Sequence, residues 1–222
     1  MKVRDRMTFN PYTTSPDQSV GDLWRFMKEH NLNRLPVVDR GKLLGIVTRT
    51  DFGTRPDIDL RGTSLATRLL PDEQEEKLRK IKVRDLMPPN QQLISIHQDA
   101  YIEQAAKILR DNRISGLPVV DDDGMLVGII TQTDVTDAFL DMLGINRAGT
   151  RINLRVSADP ENLVRIGQVL MQHKLSVENL VSIEKPDKSR ILVLRVNMQD
   201  SRQLIKELKD AGFQIESLLV KN

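Results

Sequence analysis

The chain has 222 residues, with 33 Lys and Arg against 31 Asp and Glu, a net charge of +2 and 39% hydrophobic residues. Scattered and nearly balanced charge gives no footprint for nucleic acid, and the absence of cysteine excludes disulfides, thiolate metal sites and thiol catalysis. No stretch reaches the roughly 18 apolar residues that a membrane span needs. Met1–Arg6 carries charge without the apolar segment of a signal peptide, so the cytoplasm is the expected location.

In chain order, Val20, Leu23, Trp24 and Met27 recur at the spacing of one helix face, with Ser19 in capping position and Asp22 three residues on. Leu35–Val38 and Leu43–Val47 read as strands joined at Asp39–Gly41, a hairpin signal. Proline, then acids, then bases over Pro71–Lys80 fit a solvated connecting helix laid along its dipole. Ile102, Ala105, Ala106 and Leu109 make a second helix face. Leu117–Val120 and Met125–Ile130 are strands around Asp121–Gly124, and a helix through Ala138, Leu140 and Met142 stops at Gly144. Gly149 and Thr150 then read as a hinge. Ile152, Leu154 and Val156 alternate as a half-buried strand, and Leu163, Ile166, Gly167 and Leu170 have helical spacing. Val177–Ile183 and Ile191–Val196 flank a turn at Lys185–Lys188, Leu204, Ile205 and Leu208 mark a helix ended by Gly212, and Phe213–Val220 closes the chain as a strand. The tail is thus βαββαβ, the ferredoxin-like order, and the fold class is α+β.

The first two thirds repeat themselves. Gly45-Ile-Val-Thr48-Arg-Thr-Asp51 returns as Gly128-Ile-Ile-Thr131-Gln-Thr-Asp134, and Leu35-Pro-Val-Val-Asp39 as Leu117-Pro-Val-Val-Asp121. Val3-Arg-Asp-Arg-Met7 likewise returns as Val83-Arg-Asp-Leu-Met87. A duplicated module can pack on its own copy and enclose a cleft between the two.

The paired motifs resemble those of cystathionine-β-synthase (CBS) domains, which occur in tandem as a pseudo-symmetric Bateman module. The tail resembles an ACT domain, and the order of the three resembles acetoin-utilisation AcuB-like proteins. The resemblance implies a first CBS domain over 1–62, a linker helix over 63–80, a second CBS domain over 81–144 and an ACT-like domain over 150–222. It also implies a non-enzymatic regulatory protein that senses an adenine nucleotide (AMP, ADP or ATP) between the CBS domains. That protein would use no catalytic cofactor or metal, would form a homodimer and would act on a partner enzyme.

In that reading Asp51 and Asp134 accept the two ribose hydroxyls, since an ionised carboxylate is acceptor-only. Thr48 and Thr131 offer hydroxyls to ribose or phosphate. The extended segments Tyr12–Thr14 and Leu93–Ile96, through Thr14 and Ile96, offer main chain to the base. Arg34, Arg49 and Arg113 are the phosphate cations nearest the motifs. Because Arg34 aligns with Gly116 and Arg49 with Gln132, the two sites are expected to be unequal. Asp and Thr also suit helix N-caps without any ligand, so a ligand-free assembly scaffold is the plain alternative.

Amino-acid sensing by the tail is another alternative. Amino-acid-binding ACT domains usually carry glycine where Ala158-Asp-Pro-Glu161-Asn-Leu163 has Glu161, which argues against it. Related CBS pairs sit inside inosine-monophosphate dehydrogenases, but the barrel that such chemistry requires takes about 250 residues and does not fit here. His30, His97 and His173 are isolated, with no metal-ligand spacing.

Overall fold

The computed structural model describes residues 1–53, 78–87 and 93–221. The chain divides into two compact units, Met1–Thr136 and Asp137–Asn222.

In the first unit the elements are β1 (Thr8–Phe9), α1 (Val20–Glu29), β2 (Arg34–Asp39), β3 (Lys42–Thr48), α2 (Val83–Leu86), β4 (Ile96–His97), α3 (Ile102–Asp111), β5 (Gly116–Val120) and β6 (Leu126–Thr131). Helix α4 (Gln132–Met142) opens at the end of this unit. Ser19 caps α1 by accepting the Asp22 N–H at 3.1 Å. The amphipathic spacing does what it predicts, because Val20, Leu23 and Met27 are fully buried. Strands β2 and β3 pair antiparallel, and the turn between them needs positive φ at both Arg40 (49°) and Gly41 (83°). Strands β5 and β6 repeat the hairpin in the second copy.

The two copies exchange their opening segments. Strand β1, in front of the first repeat, pairs with β6 of the second, Thr8 opposite Ile129. The Val3 and Arg4 N–H groups donate to the Ala100 and Gln98 carbonyls at 2.9 and 3.0 Å. Conversely, the Val83 N–H donates to the Gln18 carbonyl at 3.0 Å, and Val83 and Leu86 join Val20, Leu23, Met27, Leu35 and Phe52 in the first repeat's core. Sequence order places Val3–Met7 with the first copy and Val83–Met87 with the second, and the folded chain reverses this. Each opening segment satisfies backbone groups against the other copy.

Most of the expected connecting helix, 63–77, lies outside the described residues. Leu78–Lys80 are helical, and Leu78 is buried in the first repeat's core, so the end of that segment is packed rather than fully solvated. The helix expected after Asp51 begins as a 3-10 turn, Asp51–Gly53, and its continuation lies outside the described residues.

The second unit contains β7 (Gly149–Val156), α5 (Glu161–Gln172), β8 (Val177–Glu184), β9 (Arg190–Val196), α6 (Arg202–Asp210) and β10 (Gln214–Lys221). Its sheet runs in the order β10-β7-β9-β8, all pairs antiparallel. Ile152, Leu154, Leu192, Leu194, Leu204 and Leu208 form the core between the sheet and its helices. Two expectations are corrected here. Gly149 and Thr150 are not a hinge, because both lie in β7, where Thr150 is fully buried and donates its hydroxyl to the Met198 carbonyl at 2.5 Å. On α5 the buried face uses Ile166, Val169 and Leu170, whereas Leu163 is 51% exposed. The helix is rotated relative to the expected face because Val169, left out of the pattern, is part of the core.

Candidate functional site

Two cavities open inside the first unit, one at each strand-to-helix junction of the repeated motif. The larger, of about 850 Å³, is lined by Asn10–Tyr12, by Asn33 and Arg34, and by Thr131–Thr133 of the second repeat. The smaller, of about 490 Å³, is lined by Thr48–Thr50 of the first repeat, by Leu93 and Ile94, and by Arg113–Gly116. They are pseudo-symmetric: a threonine loop from one copy faces the extended segment that precedes the α1 or α3 helix. The exchange of opening segments creates this pairing. The segment before α1 therefore faces Thr131, and the segment before α3 faces Thr48.

The threonine–aspartate pairs are closed on themselves. Asp51 accepts the Thr48 N–H at 2.6 Å and the Thr48 hydroxyl at 2.8 Å, both on Oδ2. Asp134 accepts the same pair from Thr131 at 2.7 Å each, and its own N–H returns a bond to Thr131 Oγ1 at 3.3 Å. Thr131 precedes Gln132, the first residue of α4, so the second copy has a reciprocal capping arrangement. Thr48 and Thr131 line the cavities, but the lining stops at Thr50 and Thr133. Asp51 and Asp134 therefore stand one residue behind the walls and stiffen the loops that form them.

Thr14 and Ile96 do not reach either cavity, which corrects the expectation that their main chain meets a base. The Thr14 N–H donates to the Pro36 carbonyl at 3.0 Å and its carbonyl accepts the Val38 N–H at 2.9 Å. Ile96 pairs with Val119 in parallel register, as Thr14 does with Val37. Backbone groups used in pairing cannot also read a ligand edge. Their neighbours are better placed, with Tyr12 lining the larger cavity and Leu93 and Ile94 the smaller.

The three arginines have different fates. Arg49 is tied to the C-terminal end of α1 and the loop beyond it, donating to the Leu32 and Met27 carbonyls at 2.8 and 3.2 Å. Gln132, its counterpart, donates to the Ile114 carbonyl at 3.1 Å. The arginine–glutamine difference thus conserves a structural contact to the loop between helix and strand. Arg113, held at a left-handed φ of 53°, lines the smaller cavity, and its counterpart Asn31, at 50°, lines the larger. Arg34 lines both. It donates to the Ser115 hydroxyl, and burial holds its guanidinium below the ordinary arginine value by stripping away water.

Sequence reading missed Ser115, although it stands where Asn33 stands in the first copy, immediately before the Arg34–Gly116 difference. It also missed the ring cluster beside the larger cavity, where Tyr12 lies 5.0 Å from His30 and 5.4 Å from Phe26 between centroids.

The fold is that of a tandem repeat, and known proteins share it. The CBS domain family model matches residues 3–52 and 83–141. A CBS domain-containing protein of Dictyostelium discoideum is 33% identical over 145 residues, covering 64% of this chain and 92% of the relative. The chain belongs to the CBS-domain family and carries two copies as a Bateman module. The inosine-5'-monophosphate dehydrogenase of Methanocaldococcus jannaschii is 32% identical over 124 residues, but only 20% of that enzyme is covered. Among solved structures, CBSX2 in complex with AMP is similar at a TM-score of 0.51 and 31% identity, covering 66% of this chain and 99% of that one. CBSX2 from Arabidopsis thaliana gives the same TM-score at 29% identity. Among the described residues no helix is long and apolar enough to cross a membrane.

Proposed function

We propose that this chain is a non-enzymatic sensor of an adenosine nucleotide such as AMP, which it binds in the two cavities of its CBS pair. The observation that carries this reading is the likeness to CBSX2, a CBS pair crystallised with AMP, together with two cavities at the repeated threonine loops. In this reading the Thr48 and Thr131 loops hold ribose or phosphate oxygens through hydroxyl and backbone N–H groups. Asp51 and Asp134 hold those loops in place from behind the cavity walls. Tyr12 on one side, and Leu93 and Ile94 on the other, present flat or apolar surface to the base. Arg34 and Arg113 supply the phosphate cations.

The reading extends to organisation. CBS domains are assigned to 1–62 and 81–144, a linker helix to 63–80 and an ACT-like, ferredoxin-type domain to 150–222, an assignment supported by the β10-β7-β9-β8 order of the second unit. A homodimer in the cytoplasm, acting on a partner enzyme, would read ligand occupancy. Any such relay requires the ligand to favour one arrangement of the chain over another.

The competing reading is a ligand-free scaffold, favoured by the bonds that Asp51 and Asp134 make to their own threonines. A thermal-shift panel of AMP, ADP, ATP and S-adenosylmethionine separates the two. Ligand at 100 times its dissociation constant stabilises by about 2.7 kcal/mol. A shift with one nucleotide, lost in Asp51→Ala or Asp134→Ala, supports the sensor. No shift with any of them in the folded protein leaves the scaffold.

A further inference from the structure

Arg34 lines both cavities of the CBS pair. Its counterpart in the second copy is Gly116, 82 positions later. A Cβ built on Gly116 would stand 2.6 Å from Nη1 and 2.7 Å from Cδ of Arg34. The glycine leaves the room in which the arginine lies, and an arginine at both positions would place two like charges in one space. The same guanidinium borders both cavities.

The remaining charge is unequal. Among the described residues Arg34 is the only charged one lining the larger cavity. The smaller cavity adds Arg49 and Arg113, but Arg49 is bonded to the Leu32 and Met27 carbonyls, so Arg113 is the additional cation available to a ligand there. A guanidinium is a planar fork that binds one phosphate bidentately. Turned to the smaller cavity, it leaves the larger with hydroxyls and amides among the described lining residues; turned to the larger, it leaves Arg113 in the smaller.

We propose that Arg34 is a shared anion clamp that makes the two cavities mutually exclusive for phosphorylated nucleosides. The smaller cavity, with Arg113, takes the phosphate-bearing ligand first, and the larger then accepts only an uncharged nucleoside well. This inference rests on the adenosine-ligand reading and adds to it a coupling between its two sites. Losing a charge-assisted hydrogen bond corresponds to roughly 10- to 100-fold in affinity, which sets the scale of the exclusion.

The test is calorimetric titration of the full chain with AMP and, separately, with adenosine. In the parent, adenosine should fill two sites of affinity within about threefold, whereas the second AMP should bind at least about tenfold more weakly than the first. Arg34→Gln should weaken the first AMP and narrow the gap to the second to the part that Arg113 alone contributes. Arg113→Gln is the discriminating variant. It removes the inequality between the cavities and keeps the shared clamp, so the second AMP should stay about tenfold weaker. Two equal AMP sites in the parent overturn the proposal, as do equal sites in Arg113→Gln, which would reduce the effect to a difference in charge. Binding of neither AMP nor adenosine to the folded chain overturns the adenosine-ligand reading, and this inference with it.

Discussion

Asp134 tests how the threonine loops are built. Its Oδ2 accepts the Thr131 N–H and hydroxyl at 2.7 Å each, and the Asp134 N–H closes the cap on Thr131 Oγ1. Asp134→Ala removes the acceptor of both bonds at once and leaves the Thr131 N–H, immediately before α4, to water. Loss of a capping side chain costs about 0.5–2 kcal/mol. Two charge-assisted bonds in a half-buried position place the expected loss near the upper end, at about 1.5–2 kcal/mol. For a chain of this size each kcal/mol moves the melting midpoint by about 2–4 °C, so a fall of about 3–8 °C is expected without ligand. Asp134→Asn keeps one side-chain oxygen acceptor and should lose no more than about half as much. Thermal melting and urea titration followed by circular dichroism read both variants. If Asp134→Ala melts within 1 °C of the parent by this estimate, the aspartate does not hold the loop, and the argument that it stiffens the cavity wall fails.

The exchange of opening segments predicts where Val83 acts. Val83→Ala should cost about 1.5–3 kcal/mol and change the fluorescence of Trp24, the sole tryptophan, whose ring packs 4.9 Å from Phe52 against the core that Val83 joins. An unchanged Trp24 spectrum would place Val83 elsewhere. Gly41→Ala puts a side chain at φ 83° with its Cβ 2.4 Å from Met125 Cε, so a loss of at least about 1–2 kcal/mol is expected. A neutral result in urea titration would refute the turn geometry. In the second unit Lys185, and then Arg155, hydrogen-bond to Glu216 and hold it below the usual carboxylate range. The Arg202 side chain, and then its N–H, lower Asp200 from 3.8 to about 2. Depressed folded values stabilise above the unfolded pKa and lose that contribution as pH falls through the folded value, so stability should decline from near pH 4 towards pH 2. Asp200→Asn and Glu216→Gln should flatten that decline in acid titrations, and an unchanged acid profile in both would sink the assignment.

The sequence by itself determined the elements and their repetition. Periodicity at Val20–Met27 and Ile102–Leu109, turn chemistry at Asp39–Gly41 and the alternation in Ile152–Val156 depend on neighbouring residues only, and the folded chain keeps them. It also exposed the Arg34–Gly116 difference, since two copies written in one line can be compared without a structure. What it did not carry was which surfaces meet. The copy to which Val3–Met7 belongs depends on pairing between segments about 120 residues apart, Thr8 with Ile129, and no local pattern encodes that choice. Thr14 and Ile96 failed as base contacts for the same reason, because their backbone groups are used by β2 and β5 once the sheets form. Arg49 lines the smaller cavity but is tied down there because α1 and the loop after it offer it carbonyl oxygens, and Arg34 came to border two cavities because Gly116 leaves it room. Those outcomes arise from steric fit and from the requirement that buried polar groups be paired, conditions that exist only after the chain has closed on itself.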